Sequence, residues 1–177
     1  ADLLAPWRLN VIAFDPYVAD SVYVHHNVKS VDMETLLRTS DVVTLHCNLT
    51  KETRGLINVD QLALMKPSAV LLNAARGPIV DIDALFDALD QDRIAGAALD
   101  VLPDEPLDPQ SPILGLGDKV LLSPHMITHN KGTGLRIAVP WVEKAVMDAL
   151  RGEIPGYVVN EDALPKWRAR FEGKNLL

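Results

Sequence analysis

Ala69-Val-Leu-Leu-Asn-Ala-Ala-Arg-Gly-Pro-Ile-Val-Asp-Ile-Asp-Ala-Leu-Phe-Asp-Ala-Leu-Asp-Gln-Asp-Arg-Ile-Ala-Gly-Ala-Ala-Leu99 is the stretch on which the fold turns. A short apolar run at 69–72 gives way to small residues and a proline. Asp81 or Asp83 then supplies a helix cap before the apolar pattern at 84–89, and a second apolar run follows at 94–99. Strand, helix and strand within about thirty residues make a βαβ unit, whose two strands run parallel.

The same alternation extends in both directions. Apolar runs at 10–14, 42–45 and 120–122 share the spacing, and the first, stopped by Asp15-Pro16, reads as a buried strand because proline cannot continue a ladder. Met33, Leu36 and Leu37 follow possible caps at Ser30 and Asp32, while Asn58 with Gln61 resembles a capping box ahead of Leu62 and Met65. The expectation is an α/β fold with a doubly wound, mainly parallel sheet. Leu3, Leu4 and Trp7 place residues 1–8 in a helix. Pro103, Pro106, Pro109 and Pro112 predict an irregular connection. Beyond Lys131 a long helical pattern puts Leu135, Ala138, Val142, Ala145, Val146 and Ala149 on one broad face, with Pro140 kinking it or marking a break near its start. After Gly152, Pro155, Gly156 and Pro165 suggest an extension that wraps another surface.

Composition narrows the function classes. The 177 residues are 48% hydrophobic and 23% charged, the profile of a globular chain rather than a disordered one. A net charge of −7 argues against nucleic acid or an anionic membrane as partner. The single cysteine, Cys47, forms no internal disulfide and no cysteine-based zinc site, and no metal is expected. No targeting segment or apolar run of membrane-spanning length is read, so the expectation is a soluble, cytoplasmic protein.

Parallel sheets bind ligands beyond the carboxyl ends of their strands. Asp15, His46, Arg76, Asp100 and His125 all follow apolar runs and are expected along one edge. An acidic residue after a strand, such as Asp15, can take the ribose hydroxyls of a dinucleotide and repel the phosphate of NADP. Counting back about 20 positions puts the matching glycine-rich loop before Ala1. In Asn73-Ala-Ala-Arg-Gly77 the small residues permit close backbone approach, and Arg76 offers a planar fork to a carboxylate, its alternative being a pair with a nearby acid. Glu105 and His125 complete a set suited to a 2-keto acid, since imidazole exchanges protons near neutral pH and a carboxylate partner fixes its tautomer.

Phe14-Asp-Pro-Tyr17, Thr44-Leu-His-Cys-Asn-Leu-Thr50, Thr53-Arg-Gly-Leu-Ile-Asn58, Met65-Lys-Pro67, Asn73-Ala-Ala-Arg-Gly-Pro-Ile-Val-Asp81, Gly96-Ala-Ala-Leu-Asp-Val101, Glu105-Pro106 and Ser123-Pro-His125 run in order over residues 1–152. They resemble the D-isomer-specific 2-hydroxyacid dehydrogenases. The resemblance implies a Rossmann-like domain that binds NAD, with Arg76 on the substrate carboxylate, His125 as acid/base and Glu105 as its partner. It further implies Asp15 at the ribose, Asp100 at the nicotinamide carboxamide, Ala74 and Ala75 with Arg76 on the nicotinamide side, and Cys47, Asn48 and Thr53 by the adenosine half. Thr128 would lie beside the nicotinamide. His46 reads as a packed structural histidine, and His26 and His129 as solvated or packed. A homodimer acting on a small 2-keto or 2-hydroxy acid is implied.

Departures from the family pattern are Asn48 where proline is usual and Thr128 near a common glycine. The family's substrate domain and glycine-rich loop lie upstream, so residues 1–130 read as a partial dinucleotide-binding domain, and 131–177 as a helix and tail returning to the substrate domain. Such a fragment is expected to be inactive alone. A dinucleotide-dependent corepressor of the C-terminal-binding-protein type keeps the same triad and is the alternative. A formate dehydrogenase would carry glutamine in place of Glu105.

Overall fold

The computed structural model describes residues 1–127, 136 and 138–177, which form two compact units, Ala1–Met126 and Ile127–Leu177. In the first unit, parallel strands β3 (Val42–Leu45), β4 (Val70–Asn73), β5 (Gly96–Leu99) and β6 (Val120–Leu122) lie side by side in chain order. Their last residues align, Leu45 opposite Asn73, Asn73 opposite Leu99 and Leu99 opposite Leu122. Whatever follows each strand therefore emerges at one level.

The helices between these strands start where side chains satisfy their first amides. Asp32 accepts from Thr35 N ahead of α2 (Met33–Thr39), Asn58 from Asp60 N ahead of α3 (Val59–Leu64), and Asp81 from Asp83 N and Ala84 N ahead of α4 (Ile82–Asp90). Asp81, not Asp83, is the cap. The capping box at α3 is only half made, since Gln61 Oε1 is buried and has no hydrogen-bond partner among the described residues. Leu37, Leu62, Leu85 and Leu89 from the helices bury against Val43, Leu45, Leu71, Ala97 and Leu99 from the sheet.

Two expectations about the elements of this unit need correction. Strand β1 (Ile12–Ala13) is half-buried, not buried, and pairs only with β2 (Lys29–Ser30) in a separate two-stranded sheet, so Asp15 does not belong to the four-stranded edge. The opening helix is a 3-10 turn, Asp2–Trp7, with Pro6 inside it; proline's missing N–H disfavours a regular α-helical ladder. The segment at α1 (Asp20–His25) carries no strong apolar period and was not foreseen.

The second unit holds α5 (Val139–Leu150) and α6 (Leu164–Phe171). Pro140 sits in the first turn of α5 and starts that helix, with no kink. The foreseen apolar face is open: Val142 is 59% and Val146 51% exposed, whereas Asp148 is buried and paired with Lys144 at 2.8 Å. The tail contains a helix and folds back on the end of α5 through Gly173 N to Gly152 O and Leu176 N to Leu150 O. Leu135, Thr128 and His129 lie outside the described residues.

Candidate active site

Four of the singled-out residues share the carboxyl edge of the sheet. His46 and Asp100 follow β3 and β5 directly, and Arg76 and His125 stand three residues beyond β4 and β6. The β4 exit is organised by Asn73, whose side chain is buried at 1% exposure. Its Oδ1 accepts from Ala75 N at 3.1 Å and its Nδ2 donates to Arg76 O at 3.0 Å, so one amide braces the turn. Ala74 and Arg76 stay exposed, and Arg76 Nη1 donates to Ala75 O at 2.6 Å. Among the described residues Arg76 makes no ion pair, so the acid-paired alternative is not realised.

Gly77 ties this turn to the next one. A Cβ there would lie 2.0 Å from the carbonyl carbon of Leu102 and 2.4 Å from Pro103 N. Only glycine lets the Arg76 turn press against the backbone that leads to Glu105.

Glu105 reaches two groups. Its Oε1 accepts from Leu102 N at 3.1 Å and its Oε2 lies 2.8 Å from His125 Nδ1. The hydrogen bond to His125, followed by that from Leu102 N–H, holds its carboxyl below the usual glutamate value, while slight burial pulls the other way. An ionised Glu105 only accepts, which assigns the proton to His125 Nδ1 and leaves Nε2 to exchange protons with a ligand. The pair lines a cleft of about 500 Å³ with Leu102, Leu107, Leu114 and Leu122. A smaller cleft of about 310 Å³ between α3 and α4 carries Asp81, Asp83 and Asp87, and none of the site residues.

His125 has φ 55, a left-handed conformation unusual for a residue with a Cβ. Asp100, 6% exposed, lies beneath it. The carbonyl of Asp100 accepts from His125 N at 2.9 Å, and its Oδ1 accepts from Met126 N at 2.9 Å and from the Ser123 hydroxyl.

The candidates for the adenosine side lie in two loops, Asp15 after β1 and Cys47, Asn48 and Thr53 after β3. The exposed carboxylate of Asp15 accepts from Tyr17 N at 2.9 Å, and the Asp15 carbonyl accepts from the Tyr23 hydroxyl at 3.1 Å. Tyr17 in turn donates its hydroxyl to Glu52, linking the turn after β1 to the loop after β3. That bond pushes the Tyr17 phenol above its ordinary value. In the β3 loop Thr53 Oγ1 donates to Asn48 O at 2.6 Å and accepts from Thr50 N at 2.8 Å. Cys47 is half-buried, and burial raises its thiol above the ordinary value. His46 corrects an expectation: it is exposed, with Nε2 3.0 Å from Thr44 Oγ1, because the face of β3 that carries Thr44 is uncovered. His26 is bound to Asp2 at 2.9 Å.

Residues 1–126 match the family model described as the NAD binding domain of D-isomer specific 2-hydroxyacid dehydrogenases. The chain belongs to that family. Among relatives of this dehydrogenase domain, a glyoxylate reductase of Thermofilum pendens is 44% identical over 138 residues, 78% of this chain and 40% of the relative. The NAD-complexed D-isomer specific 2-hydroxyacid dehydrogenase of Lactobacillus delbrueckii ssp. bulgaricus superposes with a TM-score of 0.78 at 30% identity, covering 90% of this chain and 52% of that one. A D-isomer specific 2-hydroxyacid dehydrogenase of Xanthobacter autotrophicus Py2, in complex with NADPH and MES, does so with 0.71 at 32%, covering 89% and 62%. The chain thus spans about two fifths to three fifths of these dehydrogenases.

Asn73, Ser123, Tyr17 and Glu52 were not foreseen as organisers of the site. Asn73 and Ser123 stand inside quoted motifs, and the signal available was their position, a polar residue ending one apolar strand and another directly after the next but one.

Proposed function

We propose that this chain is the cofactor-binding part of a cytoplasmic, homodimeric NAD-dependent oxidoreductase that interconverts a 2-keto acid and a D-2-hydroxy acid. The observation that carries the proposal is the His125–Glu105 hydrogen bond of 2.8 Å on the same sheet edge as the exposed Arg76. The residues present suit NAD. Asp15 offers acceptor oxygens to vicinal ribose hydroxyls, and Ala74 and Ala75 leave the end of β4 open to a flat ring. When bound, the nicotinamide donates or accepts the hydride.

The protein's part is positional and acid–base. Arg76 holds the substrate carboxylate with its planar fork. His125 Nε2 delivers a proton to the keto oxygen during reduction and recovers it from the hydroxyl during oxidation. Glu105 keeps the imidazole in the required tautomer and balances the positive charge it carries before the transfer. Asp100 contributes to the nicotinamide side, Cys47, Asn48, Thr53 and Asp15 to the adenosine side, and Thr128 falls outside the described residues.

The test is an assay of the full-length protein for loss of NADH absorbance with glyoxylate and hydroxypyruvate. Turnover dependent on keto acid is the expected result. Cofactor binding without turnover of any 2-keto acid, joined to capture of a peptide, would favour the corepressor reading, which nothing in the comparisons supports.

A further inference from the structure

Around His125 the backbone is more closely specified than a loop requires. His125 N–H is shared between Asp100 O at 2.9 Å and Ser123 O at 3.0 Å, Ser123 N–H donates to Leu99 O at 3.0 Å, and Met126 N–H donates to Asp100 Oδ1 at 2.9 Å. The same Oδ1 takes the Ser123 hydroxyl. One buried carboxylate therefore grips the turn on both sides of His125, through the residue two before it and the residue one after it. Between these anchors His125 adopts its left-handed φ of 55, a conformation unfavourable to a residue with a Cβ that persists only where its surroundings impose it. Glu105, the partner of the imidazole ring, is fixed by Leu102 N, two residues along from Asp100. Backbone and ring of His125 are thus both referred to the segment leaving β5.

We propose that Ser123 is a positioning residue for the acid/base step: by donating its hydroxyl to Asp100 it holds the left-handed turn that aims His125 Nδ1 at Glu105 and Nε2 at the substrate. The inference rests on the proposed role of His125. Removing the hydroxyl takes a donor from Asp100 Oδ1 and leaves the N-terminal side of the turn held by the Ser123 N–H bond to Leu99 O, so the ring samples directions away from Glu105. Threonine keeps an oxygen at the same place and should preserve the aim.

The experiment compares Ser123→Ala, Ser123→Thr and His125→Ala in the full-length protein. For Ser123→Ala we expect kcat to fall roughly tenfold with little change in the KM for NADH. The Glu105 carboxyl, followed by carbon-13 NMR, should titrate closer to its ordinary value of about 4.5 as the imidazole bond loosens. Ser123→Thr should recover both readings. A lower melting temperature with kcat and the Glu105 titration both unchanged would mean that Ser123 is merely structural, and would overturn the proposal. His125→Ala separates this outcome from failure of the wider reading. If it retains wild-type turnover, the acid/base assignment itself is wrong; if it is inactive while Ser123→Ala is not, only the positioning role falls.

Discussion

His125 and Glu105 are half-exposed, at 51% and 41% of the side chain, so their bond acts on chemistry more than on stability, which solvent screening keeps small. The sign of the pH effect follows from Glu105. Its carboxyl lies below about 4.5, the ordinary glutamate value, so the stabilisation its carboxylate gains from the His125 and Leu102 hydrogen bonds is fully present above that pH and is lost as pH falls through the lowered value. Replacing His125 with Ala removes the larger cause and leaves the Leu102 amide. NMR titration of that variant should move Glu105 upward, part of the way to 4.5; an unchanged titration would show that the imidazole is not what lowers it. In the proposed ribose-binding role, Asp15 should favour NAD over NADP, because its carboxylate would meet the 2′-phosphate and no arginine follows it directly. Asp15→Asn should improve the KM for NADPH relative to NADH by roughly tenfold, a fraction of what full charge repulsion in a dry site would give. Tighter binding of NADPH than NADH by the unmodified protein would contradict this reading.

At the scale of elements, three turns packed backbone to backbone bring the chemistry together. Gly77→Ala would drive a methyl into the Leu102 carbonyl, and because neither backbone can yield we expect a loss of about 3 kcal/mol or more, a drop of several degrees in melting temperature, and impaired catalysis. Lys119 closes the far end of α4, donating to Leu89 O at 2.8 Å and pairing with Asp92 at 2.8 Å. Lys119→Met should cost about 1 kcal/mol in denaturant unfolding and leave turnover alone, the contrast that separates fold from site. The four strands of the main sheet were legible, and the caps were narrowed to Ser30 or Asp32, Asn58, and Asp81 or Asp83, because apolar runs and capping side chains are local signals. Strand β2 was not, since Lys29 and Ser30 are both exposed and carry no apolar pattern. Asn73 escaped notice as a brace for a related reason: its two hydrogen bonds depend on the shape of a turn that no local pattern encodes. Arg76 and His125 stood out because each follows an apolar strand on the edge where parallel sheets bind ligands, and Glu105 because a carboxylate fixes the tautomer of an imidazole.

For the whole molecule, the second unit presents Trp141 at 62%, Val142 at 59%, Val146 at 51% and Tyr157 at 80% exposure, more apolar surface than an isolated unit keeps without a use. Among the described residues no helix is long and apolar enough to cross a membrane. We propose a protein partner for this surface within a homodimeric enzyme, and sedimentation of the full-length protein should give twice the chain mass; a monomer at micromolar concentration would argue against it. In the proposed reaction His125 moves the proton during reduction of a 2-keto acid. The measurement that tests this role most directly is single-turnover oxidation of bound NADH by glyoxylate in full-length wild type and His125→Ala, with NADH affinity determined in parallel. We expect a rate lower by roughly 10²- to 10⁴-fold in the variant, with NADH bound about as tightly. An unchanged single-turnover rate with glyoxylate would contradict that role.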